Sequence, residues 1–211
     1  MRSPVRRPFL ISVVVLSALS GLAAGCARDG RDLAATQSWQ TTTTRPPPPT
    51  FAPDREDSPT GLSLSSPLFE PGGEIPVSAT CAGDNVFPDL TWGEVDPSAA
   101  ELVVALADQT DPEIPVLMWL MAGIPPTLTG LEAGVMPIGA FETTDDYGIT
   151  GYGEPCLESY ASGTRDLQFR IYVLAEPSNL TLGHPGNEAW AQVKNQAIDS
   201  ASLLARAFND G

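Results

Sequence analysis

The sequence predicts a mainly β protein, an antiparallel two-sheet β-sandwich with a C-terminal α-helix. Two continuous apolar runs, 102–107 and 116–124, are bounded by Asp or Pro, as is typical of strands buried on both faces. A third segment, 167–173, alternates apolar and polar side chains with the two-residue period of a strand. Because Pro and Gly separate these segments, the connections are expected to be turns and loops, and the strands to form two packed sheets.

Two further elements complete this prediction. A short strand is expected over 77–81, where Val77, Ala79 and Cys81 alternate with the polar residues Ser78 and Thr80. One helix is expected between Asn187, its N-cap, and Gly211, which lies past its end. The apolar stripe of this helix has spacings of three and four residues and consists of Trp190, Val193, Ala197, Ala201, Leu204 and Phe208.

Residues 1–25 have the composition of a lipoprotein signal peptide. Early arginines precede an apolar run from Phe9 to Leu22, and small residues then lead to Cys26. Cys26 is therefore the expected lipid attachment site, and the membrane is the partner that this lipid contacts. An uncleaved anchor helix is the alternative, and an Arg-Arg pair leaves twin-arginine export open. Each interpretation places the rest of the chain outside the cytoplasmic membrane, lipid-anchored on its extracytoplasmic face if Cys26 is modified.

Residues 26–61 are predicted to be a disordered Thr/Pro-rich tether. The tracts Thr41–Thr44 and Pro46–Pro49 have no apolar periodicity and favour extended conformations. The remaining segment, 62–211, is expected to fold as one domain that the tether lifts off the membrane. Glycosylated threonines and a plain spacer are both compatible with this composition.

Charge and composition exclude several classes of function. A formal net charge of −15 argues against nucleic-acid binding, which needs a surface rich in Lys and Arg. With a single histidine, His184, the chain cannot build a two-His metal site. The acidic side chains of Glu142, Asp145 and Asp146 lack calcium-loop spacing and are interpreted as a solvated loop. No catalytic residue, cofactor or metal is therefore predicted.

A series of short motifs runs through 62–211 in a fixed order. It comprises the segments 69–76, 81–85 and 88–92, then Asp108–Pro112, Trp119, 124–125, and finally 147–148, 151–152 and 155–156. In this order they resemble the phosphatidylethanolamine-binding protein (PEBP) family, and above all its bacterial YbhB/YbcL branch, relatives of Raf kinase inhibitor protein. The resemblance implies a two-sheet fold with a small anion pocket at one end, lined by Asp and His.

The resemblance also implies which residues line the pocket: Asp108, Thr110, Met118, Trp119, Tyr152 and Arg165. Three of them depart from the family pattern. Thr110 replaces an acid, and Met118 and Arg165 stand where family members have histidines. The pocket is therefore expected to be a degenerate anion site without imidazole donors.

The residues leave several interpretations of this pocket open. Arg165 can grip an anion or, as the acidic composition favours, pair with a neighbouring acid such as Glu154, Glu158 or Asp166. The Asp108 carboxylate is suited to accept N–H bonds in a loop. A methionine at position 118 makes the pocket more apolar, so the expected ligand is small and either anionic or apolar.

Cys81 and Cys156 lie in loops that the resemblance places at the same end of the domain. In an oxidising compartment a disulfide between them is expected, and two unpaired buried thiols are the alternative. The function predicted for the whole chain is that of a non-catalytic ligand-binding or regulatory lipoprotein. The alternative is a structural or protein-interaction domain with no small-molecule ligand, and the sequence does not indicate a protein partner.

Overall fold

The computed structural model describes residues 58, 60–153 and 164–208. Its elements are β1 (Leu64–Ser65), β2 (Gly73–Glu74), a 3-10 helix (Val77–Ala79), β3 (Leu90–Trp92), β4 (Glu101–Asp108), β5 (Val116–Ile124), β6 (Gly130–Leu131), β7 (Phe141–Glu142), β8 (Thr164–Leu174), α1 (Gly186–Gln196) and β9 (Ala197–Phe208). The predicted signal peptide and most of the predicted tether lie outside the described residues. Within the described residues, no helix has the length and apolarity needed to cross a membrane.

The described strands form two sheets. The smaller sheet has the order β1-β3-β6, and the larger has the order β2-β9-β8-β4-β5-β7. Strands β2 and β9 pair in parallel, while the other pairings between described strands are antiparallel. The mainly β, two-sheet fold class is therefore confirmed, although the larger sheet is mixed rather than purely antiparallel.

The three strands predicted with the clearest patterns lie side by side in the larger sheet. Strand β5 has the predicted bounds, while β4 and β8 extend beyond theirs. Every side chain of 102–107 is at most 3% exposed, because each face of the sheet is covered. The inner face packs on the smaller sheet through Leu102, Val104 and Leu106. The outer face packs on α1 through Val103, Ala105 and Ala107.

Two predicted elements are wrong in type or extent. Val77–Ala79 is a 3-10 helix rather than part of a strand, with Val77 61% exposed. The predicted C-terminal helix ends at Gln196, and Ala197–Phe208 is the strand β9. Pro185, rather than Asn187, is the N-cap residue of this helix, and the hydroxyl oxygen of Thr144 accepts the N–H of Gly186 in its first turn at 3.1 Å.

Strand β9 shows why the helix prediction failed. Ala201, Leu203, Ala205 and Ala207 are buried, and Ser202, Leu204 and Arg206 between them are exposed. Alanine and leucine favour helices in isolation, but β9 fills the gap between β2 and β8 and pairs with β8 along its length. Burial of one face in the sheet therefore outweighs local helix propensity.

Candidate functional site

Asp108 and Arg165 meet at one end of the larger sheet, which we call the site end. Asp108 is the last residue of β4 and lies opposite Leu167 of β8, two residues from Arg165. Residues two apart on a strand share a face, so the side chains of Asp108 and Arg165 lie on the same face as Leu167. Leu167 belongs to the core between the two sheets, so this is the inner face.

The two side chains form an ion pair that is almost buried. Arg165 Nη1 lies 2.7 Å from Asp108 Oδ2, and the side chains are 11% and 12% exposed. Asp108 Oδ1 accepts the N–H of Thr110 at 2.9 Å, as expected of a loop-capping carboxylate. Asp166, one of the partners considered for Arg165, instead pairs with Arg206 at 3.2 Å. Glu154 and Glu158 lie outside the described residues.

Thr110 fastens the loop after β4 to the start of β8. Its hydroxyl oxygen accepts the N–H of Asp166 at 3.1 Å. The N–H of Gln109 donates to the carbonyl oxygen of the same aspartate at 2.7 Å. Thr110, which replaces an acid of the family pattern, therefore links the end of β4 to the start of β8. These are the two strands that carry the ion pair.

A bulge in β5 brings Met118 and Trp119 to the same face. Leu117 pairs with Ala107 and Trp119 pairs with Leu106, which leaves Met118 as the extra residue between them. Met118 and Trp119 both belong to the inner core, whereas Leu117 belongs to the outer one. Bulges re-aim side chains in this way, and they are common beside functional sites.

The segment 151–153 packs directly on this bulge. A Cβ atom at Gly153 would overlap the carbonyl oxygen of Met118, so only glycine permits this approach. The Met118 side chain is 4% exposed. The thioether therefore fills buried space at the position where the family resemblance implies an imidazole donor.

Trp119, Tyr152 and Phe87 form an aromatic cluster next to the bulge. The Trp119 and Phe87 rings stack with centroids 4.9 Å apart, and Tyr152 meets Trp119 edge-on at 5.4 Å. The Tyr152 hydroxyl donates to the carbonyl oxygen of Ala79 at 3.2 Å, and Trp119 Nε1 donates to Glu142 Oε1 at 2.8 Å. Burial raises the pKa of Tyr152, so its hydroxyl stays protonated and acts as a hydrogen-bond donor.

Sequence reasoning did not select Phe87 and Glu142 as site residues. Phe87 lies between the segments 81–85 and 88–92, which carry the family resemblance, so its position was a usable signal. Glu142 was grouped with the acidic loop because its strand, β7, has only two residues and no recognisable pattern. Its role follows from the pairing of β7 with β5, which brings Glu142 beside Met121.

The acidic loop is not simply solvated. Asp145 is 6% exposed, and its Oδ1 accepts two N–H groups of the turn that follows, at 2.9 and 2.8 Å. Asp146 Oδ2 accepts the N–H of Leu117 at 2.7 Å, and burial raises the pKa of Asp146. Asp145 therefore stabilises the turn of the loop, and Asp146 holds the loop against β5. No group of three or more His, Cys, Asp or Glu side chains in the described part of the chain could hold a metal ion.

Of the predicted cysteine sites, only Cys81 lies within the described residues, in the turn after the 3-10 helix. Cys26 and Cys156 lie outside them, so lipidation and the disulfide stay predictions. Tyr152, which donates a hydrogen bond to Ala79, lies four residues before Cys156. Ala79 lies two residues before Cys81.

The family model described as Phosphatidylethanolamine-binding protein matches residues 65–208. The chain belongs to this family. The match spans both sheets, both residues of the ion pair and the β5 bulge, so the recognition of the family from short motifs is confirmed.

Relatives and solved structures agree with this assignment. The chain is 31% identical over 207 residues to "Putative lipoprotein LppC" of Mycobacterium tuberculosis, covering 98% of this chain and 96% of that protein. A UPF0098 protein of Methanothermobacter thermautotrophicus is 30% identical over 148 residues, covering 68% of this chain and 96% of that protein. The crystal structure of Escherichia coli YbcL, described as a new member of the mammalian PEBP family, has a TM-score of 0.63 at 21% identity and covers 71% of this chain and 99% of that chain. The structural likeness concerns the fold alone.

Proposed function

We propose that this protein is an exported lipoprotein whose PEBP-like domain is a non-catalytic ligand-binding or regulatory module. A lipid on Cys26 would anchor it to the extracytoplasmic face of the membrane. The support is the signal-like composition of residues 1–25 and the similarity to LppC, which extends over nearly the whole chain. Because the chain is acidic, the lipid rather than attraction to anionic headgroups would retain it.

The observation that carries the binding proposal is the ion pair between Asp108 and Arg165. A guanidinium is well suited to grip phosphate or carboxylate. Here a carboxylate of the protein already lies 2.7 Å from it. An external anion must displace Asp108 or bind beside its negative charge, so we infer that the anion pocket is degenerate.

The surroundings of the pair support a ligand that is small and neutral or apolar. The Met118 thioether supplies no N–H donor, and the Trp119 and Tyr152 rings border the bulge. Dispersion and burial of apolar surface would supply most of the affinity at such a site.

A catalytic role is not part of the proposal. The carbonyl oxygen of His184 accepts the N–H of Thr144 at 3.0 Å, just before α1. Helix α1 packs on the outer face of the larger sheet, whereas the ion pair lies on the inner face. The described residues of the site therefore include no imidazole that could serve as a base.

A structural or protein-interaction domain without a small ligand is the second candidate. It is favoured by the burial of Met118, which is 4% exposed, and by the nearly buried ion pair. A site filled by its own side chains needs no ligand. Purification of the protein from its native host, followed by mass spectrometry of bound small molecules, separates the two: a stoichiometric compound supports binding, and its absence supports the second candidate.

Calorimetry of the full chain in detergent tests the degenerate pocket. We expect no binding of phosphate or phosphoethanolamine at millimolar concentration. Asp108→Asn keeps an oxygen for the N–H of Thr110 but removes the negative charge that lies 2.7 Å from Arg165, so this variant should bind anions better than the unmodified chain. The combined variant Met118→His, Thr110→Asp and Arg165→His, which restores the family pattern, should also gain some.

The matched control is Asp166→Asn, which removes an exposed charge paired with Arg206 near the same end. It should gain no anion binding, because it leaves the partner of Arg165 in place. Micromolar phosphate binding by the unmodified chain, abolished by Arg165→Ala, would show instead that the pocket is built around the guanidinium.

A further inference from the structure

The loop between β6 and β7 displays apolar side chains to solvent. Residues 133–141 contain no charged side chain. Within them Val135, Met136 and Ile138 are 50%, 45% and 98% exposed. Single exposed apolar residues are ordinary, whereas a contiguous group of them marks a contact surface for a protein or a membrane. We call residues 134–139 the apolar loop.

Backbone contacts hold the apolar loop in place at both ends. The N–H of Gly134 donates to the carbonyl oxygen of Phe87 at 3.1 Å. At the other end, a Cβ atom on Gly123 would lie 2.7 Å from the carbonyl oxygen of Gly139, so the loop packs directly on the backbone of β5. The exposed side chains are therefore presented by a supported backbone, and they do not turn inward to the core.

The half of the apolar loop that contains Ile138 lies at the opposite end of the sandwich from the ion pair. Gly123, on which it packs, is next to Ile124, the last residue of β5, and Ile124 pairs with Leu102 near the start of β4. Asp108 ends the same strand, about 20 Å away at about 3.3 Å per residue. We call the Leu102 end of the sandwich the anchor end.

The chain also enters the domain at the anchor end. Ser58 Oγ donates to Asp199 Oδ2 at 2.7 Å, and the hydroxyl of Thr60 donates to the same oxygen. Asp199 pairs with Val173 of β8, which in turn pairs with Leu102 of β4. Ser58 and Thr60 are thus fastened at the end of the sheet where Ile138 is exposed.

We propose that the apolar loop, centred on Ile138, docks in the bilayer that carries the lipid anchor, and that this contact turns the site end away from the membrane. The inference rests on the proposed lipidation of Cys26. Only 31 residues separate Cys26 from Ser58, and a tether of that length would span roughly 30 Å root mean square as a coil and more where its proline tracts are extended. The tether therefore raises the local concentration of bilayer to a level at which a weak contact is well populated.

The acidic residues around the apolar loop and at the anchor end indicate that the loop contacts the hydrophobic part of the bilayer and not anionic headgroups. Glu132 borders the apolar loop, and Glu176 is exposed just beyond the end of β8 at the anchor end. These carboxylates disfavour anionic headgroups. Docking therefore depends on the apolar side chains and should not require anionic lipid. A ligand would then reach the site end from the aqueous side of the cell envelope, not from the headgroups of the anchoring membrane.

The test uses the full lipidated chain in phosphatidylcholine vesicles. Ile138→Cys and, separately, Ile114→Cys carry an environment-sensitive fluorophore, with the unmodified chain giving the labelling background. Ile114 is the matched control because it is an isoleucine, is 69% exposed and lies in the loop that follows β4 at the site end. We expect a blue shift and protection from an aqueous quencher at position 138 and neither at position 114.

Other outcomes separate the two proposals. If the chain floats with vesicles but both labels remain equally open to the quencher, the docking is overturned and the anchor stands. Protection at 114 instead of 138 overturns the orientation. If the chain does not float, or if Cys26→Ser partitions into detergent as the unmodified chain does, the lipid anchor fails and the docking fails with it.

Discussion

Strand β4 begins with a buried carboxylate and ends with a nearly buried one, and the two are stabilised by different partners. At the anchor end Glu101 is 7% exposed. Its Oε1 accepts the N–H of Gly123 at 2.8 Å and the hydroxyl of Ser178 at 2.9 Å, and its Oε2 accepts the Ser178 N–H at 2.6 Å. At the site end Asp108 is balanced by the guanidinium of Arg165.

The different partners indicate different roles: Glu101 holds neighbouring backbone in place, and Asp108 pairs with a charged side chain. The donors around Glu101 are a backbone N–H near the end of β5 and the N–H and hydroxyl of Ser178 in the segment after β8, so the carboxylate fixes both to β4. None of these donors carries a charge that a ligand could use. The pair at Asp108, by contrast, includes a cation, which is the kind of group that an anionic ligand could use. Strand β4 is thus fastened to its neighbours at one end and carries, at the other, the ion pair that we propose to be a latent anion site.

The largest effect is expected from Glu101→Ala. This change leaves three donors in buried surroundings without their acceptor, at about 1 to 3 kcal/mol each, so the free energy of unfolding should fall by about 3 to 9 kcal/mol. Urea unfolding followed by tryptophan fluorescence measures it. Glu113→Ala, at an exposed position in the loop after β4, is the control and should change stability little. Equal losses in both variants would show that Glu101 is not a lock.

The contrast also shows which features the sequence could reveal. The apolar runs of β4 and β5 are visible because both faces of these strands are buried, and the alternation in β8 is equally plain. Strand β9 was hidden because its small buried residues fit a helical stripe as well as a strand. The period of two emerges only when β8 is known to lie beside it.

The candidate site was predictable in its residues but not in its pairing. Asp108 and Arg165 are 57 positions apart, and only the register of β4 on β8 places them in contact. Met118 and Trp119 would face opposite ways in a regular strand, so the bulge that brings them together is invisible to a simple two-residue period. Long-range register and local irregularity, rather than composition, therefore decide the chemistry of the site.

The next largest loss of stability is expected from breaking the ion pair between Asp108 and Arg165. Arg165→Met and Asp108→Asn each remove one charge of the pair, and breaking a buried ion pair in this way typically costs about 3 to 5 kcal/mol. The double variant removes both charges and should be more stable than either single variant. A double-mutant cycle in urea measures the coupling. Simple additivity of the two losses would mean that the charges do not stabilise each other.

The disulfide predicted between Cys81 and Cys156 would be a second constraint on the site end. It would close a loop of 75 residues, and in the chain-entropy model its loss costs about 4 kcal/mol at most. Intact-mass measurement of the exported, lipidated chain before and after reduction should show a gain of two hydrogens, and reduction should lower the urea midpoint. Alkylation of both cysteines in the native, unreduced protein would refute the bridge.

The smallest effect is expected at Asp146, whose side chain is more exposed than the two carboxylates of β4. Burial raises its pKa above the ordinary value of 3.8, although the N–H of Leu117 acts in the opposite direction. A raised pKa means that the folded state binds the proton more readily than the unfolded state, so the ionised group weakens the fold at neutral pH. This penalty disappears as the pH falls through the folded-state pKa towards 3.8.

Asp146→Asn keeps an oxygen for Leu117 and should therefore be more stable than the unmodified chain at pH 7, by a margin that closes on acidification. Thermal unfolding of both proteins at several pH values tests this prediction. If the stability difference between them is constant with pH, the gain comes from the change in net charge and not from burial of the carboxylate.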